Sequence, residues 1–337
     1  MNKRERVEAA LKGKNVDRVP VSAWGHFYEK EGKLDTFVRS MLEFQEYYDW
    51  DFMKIQCRYT YHLEDWGFQY TQSGKPGDQP VTTKAPIQKP EDWKKLKVLR
   101  PTEGVLGEIL EAVKAIKKGL KGEVPFIMTV FSPLMTANYL WGSTHNTAGW
   151  NEAYTTDKES LSAGLKTIAE TFRLYVQELA KTGIDGLFFA TKEANDNYLS
   201  CEEFQSFSRP FDEIVLDAAK DMPFTMLHLC IDKIHMKAMS DYPVTSFNWD
   251  TDLPGNPGLK EARQLIGKAR AICGGSNRVT LEKGSAADVK SELKKSLIEM
   301  QDDDRFILTP GCSIFTHTTP EENLRILRNA PEQYQDY

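Results

Sequence analysis

Short β-branched or aromatic runs alternate with helix-length amphipathic segments from one end of this chain to the other, and no other feature limits the fold so strongly. Eight runs read as strands: 19–23, 51–55, 125–131, 184–190, 224–229, 244–248, 271–275 and 306–310. Helical patterns separate them at 33–48, 105–118, 157–182, 201–221, 232–241, 258–268 and 285–302, with closing helices near 3–12 and 320–330. Such alternation implies parallel strands joined by crossover helices. Eight units fit a closed α/β barrel, a single (β/α)8 TIM barrel over residues 1–337, better than a doubly wound sheet. In such barrels the active site lies at the C-terminal ends of the strands.

Local signals agree. Ser200-Cys201-Glu202-Glu203 has capping-box spacing, and Thr319-Pro320-Glu321-Glu322 offers an N-cap threonine with proline at the first helical position. No Gly-x-Gly-x-x-Gly follows the first strand, which weakens a dinucleotide-binding reading. Residues 57–102 are irregular and rich in Pro, Gly, Gln and Lys. We read them as a long excursion from the second strand near the barrel mouth, since no second alternation starts after it.

The formal net charge of -6 argues against a nucleic-acid partner, and basic runs such as Lys94-Lys95-Leu96-Lys97 and Lys117-Lys118 read as solvated surface. The charged start, Met1-Asn2-Lys3-Arg4-Glu5-Arg6, shows no apolar signal-peptide core, and no window has the apolar length of a membrane span. The cysteines Cys57, Cys201, Cys230, Cys273 and Cys312 are odd in number and scattered. They are no disulfide framework, and a reducing cytoplasm suits them.

The sharpest chemical feature is His228-Leu229-Cys230 at the end of the fifth strand. A one-residue gap turns both side chains to the same mouth. Cys312, in Pro310-Gly311-Cys312-Ser313 after the eighth strand, can converge on them, because barrel strand ends share one opening. One imidazole and two thiolates are good zinc ligands, and three protein ligands leave a fourth position for substrate. Gly311 is expected to let the backbone turn sharply towards the metal. Cys57, Cys201 and Cys273 read as packing residues. Other strand ends supply polar groups. Glu193 can act as a fourth ligand or acid–base group, and Asn248 and His26 are candidates for substrate contact. His62, His145, His235 and His317 have no partner at informative spacing and are expected in surface or structural roles.

The opening Lys3-Arg4-Glu5-Arg6-Val7-Glu8-Ala9-Ala10-Leu11-Lys12-Gly13 with Val16-Asp17-Arg18-Val19-Pro20-Val21 resembles the start of uroporphyrinogen decarboxylase superfamily proteins. The ending resembles theirs too, in Ile307-Leu308-Thr309-Pro310-Gly311-Cys312-Ser313-Ile314 and Thr319-Pro320-Glu321-Glu322-Asn323-Leu324. Gly183-Ile184-Asp185-Gly186-Leu187, with Phe204 through Phe211, is similar to the family's fourth strand and following helix. The resemblance implies the same barrel. The decarboxylase branch has paired arginines soon after the first strand, where this chain reads Trp24-Gly25-His26-Phe27-Tyr28-Glu29-Lys30, and an aspartate after the second, where it reads Lys54-Ile55-Gln56-Cys57-Arg58. A substrate with many carboxylates needs strong cationic partners, so uroporphyrinogen decarboxylation is the weaker reading.

The superfamily's corrinoid-dependent methyltransferases carry His-x-Cys and a distant Pro-Gly-Cys as zinc ligands, which this chain resembles at His228, Cys230 and Cys312. That resemblance implies a zinc enzyme moving methyl between a cobalamin held on a partner corrinoid protein and a thiol, methanol, methylamine-derived or methoxyaromatic compound. Trp24, Phe27, Tyr28, Trp66 and Trp249 are candidates to line an aromatic pocket. The direction of transfer stays open, as does a homodimer. A non-catalytic barrel binding a ligand or corrinoid protein is a third reading, disfavoured by three converging soft ligands.

Overall fold

The computed structural model describes residues 1–75, 77–142 and 154–334. After β1 (Met53–Ile55) comes a separate antiparallel pair, β2 (Gln69–Thr71) and β3 (Val81–Lys84). Then follow β4 (Phe126–Phe131), β5 (Gly186–Thr191), β6 (Met226–Leu229), β7 (Ser246–Trp249), β8 (Ala271–Ser276) and β9 (Phe306–Pro310). Seven of these pair in parallel in the order β1-β4-β5-β6-β7-β8-β9. The helices are α1 (Lys3–Lys12), α2 (Leu34–Tyr48), α3 (Gly104–Leu120), α4 (Pro133–Leu140), α5 (Lys158–Thr182) and α6 (Arg209–Asp217), then α7 (Leu259–Ile266), α8 (Arg278–Lys283), α9 (Ala286–Glu299) and α10 (Glu321–Gln333).

The first expected strand, 19–23, shrinks to a single parallel bridge between Val21 and Leu308. Leu308 N donates to Pro20 O (2.9 Å) and Ser22 N to Leu308 O (3.1 Å), while Asp51 N donates to Val21 O (2.9 Å). The segment thus fills the seam between β9 and the entry to β1 and closes the barrel. Pro20 has no N–H to extend the ladder, which is why a regular strand does not form there.

Strand parity sorts the core into two compartments. Phe52, Ile127, Phe188, Met226, Ala271, Cys273 and Ile307 pack with Trp24 in one cluster, the barrel interior. Their alternates Met53, Met128, Leu187, Leu227, Phe247, Ile272 and Leu308 pack outward against the helices. Both faces of the sheet are therefore buried and mostly apolar, as a parallel sheet covered by helices requires.

Some expected elements differ. The pattern at 232–241 yields only a 3-10 turn at Met236–Met239, because Ile231 and Lys233 both hold left-handed backbone (φ 66 and 52) that breaks a helix. Thr319 does not cap α10; the N-cap position is Pro320, without a side-chain bond. The Ser200 capping box does form, and it leads through a π-helical turn at Phe204–Ser208 into α6. The excursion from 57 to 102 is more ordered than its composition suggests. It holds 3-10 turns at Tyr59–His62, Glu64–Trp66 and Pro90–Lys95 besides the β2–β3 pair. No helix among the described residues is long and apolar enough to cross a membrane.

Candidate metal centre

His228 sits third in β6, on the parity that faces the barrel interior, and is buried. Cys230 lies two residues on, just past the strand, with its N–H donating to Thr191 O at the end of β5 (2.9 Å). Cys312 follows β9 by two residues. The ligand atoms of His228, Cys230 and Cys312 all lie within 4.8 Å of one another, the one such group of His, Cys, Asp or Glu among the described residues. His228 Nε2 and Cys312 Sγ are 3.8 Å apart.

Register explains how the imidazole is aimed. In the parallel ladder His228 lies opposite Asn248 of β7, which lies opposite Cys273 of β8. Side chains on one face of adjacent strands meet, and His228 Nδ1 is 2.6 Å from Asn248 Oδ1. The Asn248 amide cannot point otherwise. Its Nδ2 donates to Cys273 O (2.9 Å) and Pro310 O (3.0 Å), two acceptors that would repel an amide oxygen. Oδ1 must therefore accept, Nδ1 must carry the proton, and Nε2 keeps a lone pair towards the two thiols. A metal-ligating histidine needs that tautomer.

The thiols share charge unequally. A hydrogen bond from Cys230, helped by the Arg278 charge, holds the Cys312 thiol well below its ordinary value against burial. The same contact with Cys312, together with burial, pushes Cys230 up. A cation bound there would hold both as thiolates.

Gly311 lies in a bend, without left-handed backbone, and brings Cys312 in by close approach. A Cβ there would stand 2.5 Å from Asp250 Cα and 2.7 Å from Trp249 O, so only glycine lets the β9 exit pass the β7 exit. On the other side, Ile231 directly after Cys230 holds φ 66, fixed by Asn256 Nδ2 donating to Ile231 O (2.9 Å). A β-branched residue in that region costs about 1–3 kcal/mol, so the chain bends sharply away immediately beyond the ligand.

A profile of the uroporphyrinogen decarboxylase (URO-D) family matches residues 2–334. The chain belongs to that family. Among its relatives, the methylcobamide:CoM methyltransferase MtbA of Methanosarcina mazei is 24% identical, with 98% of each chain covered. The methylcobamide:CoM methyltransferase MtaA of Methanosarcina barkeri is 25% identical over 98% of this chain and 97% of that one. A solved methyltransferase from Methanosarcina mazei superposes with a TM-score of 0.84 at 21% identity, covering 99% of both chains, and so shares the barrel.

Within this family barrel the remaining residues singled out in the sequence take distinct places. Glu193 follows β5 and is fully buried, its Oε1 accepting from Asn138 Nδ2 (2.9 Å), and burial pushes its carboxyl up. It lies outside the three-residue ligand group. His26 also lies outside that group. Its Nδ1 faces Glu31 (2.9 Å), its Nε2 faces Gln56 Nε2 (2.5 Å), and its ring stacks on Tyr28. His62 is buried against Phe131, with burial lowering its pKa to about 3. His235 Nε2 bonds Leu199 O (2.8 Å) and His317 bonds Glu29 (2.9 Å), while His145 lies outside the described residues. Cys57 and Cys273 are buried, but Cys201 is exposed, so packing does not explain it. Of the aromatic candidates, Trp24 and Trp249 are buried core and Trp66 donates to Lys97 O (2.9 Å).

Two residues near the centre were not singled out in the sequence: Lys54, buried in β1, and Arg278 at the start of α8, whose charge acts on both thiols. Parity could have found Lys54. With Met53 and Ile55 facing the helices, Lys54 must face the barrel interior with Phe52.

Proposed function

We propose that the chain is a zinc-dependent methyltransferase exchanging a methyl group between a protein-bound corrinoid and a small molecule: a thiol, methanol, a methylamine-derived or a methoxyaromatic compound. The observation that carries this reading is the convergence of one imidazole nitrogen and two sulfurs, within 4.8 Å of one another, at strand ends on the barrel mouth. Two full-length relatives named methylcobamide:CoM methyltransferases support the corrinoid. In their light the partner is a corrinoid protein and a thiol the first substrate to try.

His228, Cys230 and Cys312 fit a soft cation in type, number and tautomer. Zinc bound there would hold a substrate thiol as thiolate or polarise a methyl–oxygen bond. The protein's own work is positional. Asn248 fixes the imidazole, Gly311 admits the Cys312 loop, and Arg278 favours the thiolate form of Cys312. The decarboxylase reading gains no support at the second strand. Arg58, the arginine there, is engaged with Glu64 (2.8 Å) and Glu108 (3.1 Å).

Metal analysis of the purified protein tests the reading first, with one zinc per chain expected and Cys312→Ser folded but without stoichiometric zinc. Full zinc in that variant would refute the ligand set. Zinc-dependent methyl exchange with added corrinoid, followed by its absorbance in both directions, then tests the reaction. Equal rates with and without zinc would remove the mechanism.

A further inference from the structure

Lys54 is a lysine inside a barrel, 2% exposed, and none of the roles above uses it. Burying an ammonium is costly unless something answers its charge, yet its one hydrogen-bond partner among the described residues is neutral. Lys54 Nζ donates to Gln56 Oε1, and Gln56 Nε2 in turn faces His26 Nε2. His26 Nδ1 faces Glu31, whose Oε1 also accepts from Phe27 N (2.8 Å). The chain has one consistent direction: Lys54 donates to Gln56, Gln56 to His26, and His26 to Glu31. It holds the amine in place and ends on a carboxylate.

One aromatic ring links the amine to the metal centre. Lys54 Nζ lies 4.3 Å from the centroid of Phe188, and that ring stacks on His228 (4.9 Å between centroids, 26° between planes). The titratable groups facing it are Glu31, Cys57 beyond β1, Cys230 beyond β6 and Cys312 beyond β9. All favour its charged form, and burial still wins, lowering the pKa to about 7. Cys57 is itself pushed up to about 12 by burial. At neutral pH the amine therefore has both of its states within reach.

We propose that Lys54 takes up the proton of a thiol substrate as that thiol enters the centre. The S–H bond breaks, its electron pair stays on sulfur, and the nitrogen lone pair of Lys54 forms the new N–H bond. No redox change occurs. The resulting ammonium offsets the added sulfur charge, and the Gln56–His26–Glu31 chain delocalises it towards a carboxylate. The proposal rests on the thiol reading above.

The test is calorimetric titration of the zinc-loaded protein with coenzyme M and, separately, 2-mercaptoethanol, in buffers of different ionisation enthalpy, counting protons released per thiol bound. A free thiol is largely protonated up to about pH 8.5. The wild type should release about one proton near pH 6, where Lys54 is already charged, and close to none near pH 8, where Lys54 accepts it. Lys54→Met, and Lys54→Arg should Met disturb folding, should release about one proton at both pH values. Zinc content and thermal unfolding of each variant check that the scaffold is intact. One proton released by the wild type at both pH values would overturn the role of Lys54 and leave the thiol reading standing. No binding heat with either thiol would overturn both.

Discussion

Asn248 shows how one amide decides the chemistry of its neighbour. Its Nδ2 is committed to two carbonyls and its Oδ1 to His228, so removing it frees the imidazole to rotate and to protonate either nitrogen. We expect Asn248→Ala to weaken zinc binding about 10- to 100-fold, the usual effect of losing a partner that orients a ligating histidine. Asn248→Asp should weaken it too, because its second oxygen would face the Cys273 and Pro310 carbonyls in place of a donor. Competition with a chromophoric chelator measures both, and an Ala variant that binds zinc as tightly as the wild type would refute the clamp. The ligand candidates were legible because His-x-Cys fixes parity within one strand. The role of Asn248 was not, because it depends on register between β6 and β7, which no single segment encodes. The sequence suggests substrate contact for it, and the structure shows its amide oxygen on His228.

At the scale of elements, strands were legible and their closest approaches were not. The outward and inward alternates of β5, Leu187 and Phe188, can be told apart only once the neighbouring strand is in place. Gly186 begins that strand, and a Cβ there would stand 1.8 Å from Phe224 O at the entry to β6. The clash is with backbone, so the two strands would have to part. Gly186→Ala should destabilise the protein by about 1–3 kcal/mol, as overpacking in a core does, read as a lower denaturant midpoint. A midpoint unchanged from the wild type would show that the ladder can yield. Two helices escaped the sequence reading for physical reasons. α4 is buried on every side, so it has no amphipathic period, although Ser132 caps it by accepting from Met135 N (3.1 Å). α8 is too short, at 6 residues, to show one.

For the whole molecule the weak point of a barrel is where its ends meet, and here that seam rests on a buried carboxylate. Asp51, fully buried, accepts from Arg6 Nη1 (2.7 Å), Arg18 Nη1 (2.6 Å), Arg18 Nη2 (3.0 Å) and Val21 N (2.8 Å). It ties α1 and the bridged segment at Val21 to the entry of β1, replacing the ladder that Pro20 forbids. Asp51→Ala leaves two buried guanidinium groups without that partner, and such a loss costs about 3–5 kcal/mol. The variant should show a much lower urea midpoint while binding zinc normally well below it, since the seam contacts lie at the opposite ends of the strands from His228 and Cys312. Asp17 extends the network through Arg6 (2.7 Å), and hydrogen bonding to Arg6 holds its carboxyl well below the usual range. A carboxylate with a depressed folded-state pKa stabilises fully above its unfolded value of about 3.9, and loses that contribution as pH falls towards the folded value. The stability gap between wild type and Asp17→Asn should therefore be constant from neutral pH to about pH 5 and shrink below about pH 4. A gap that persists undiminished into acid would show that Asp17 acts through packing rather than charge.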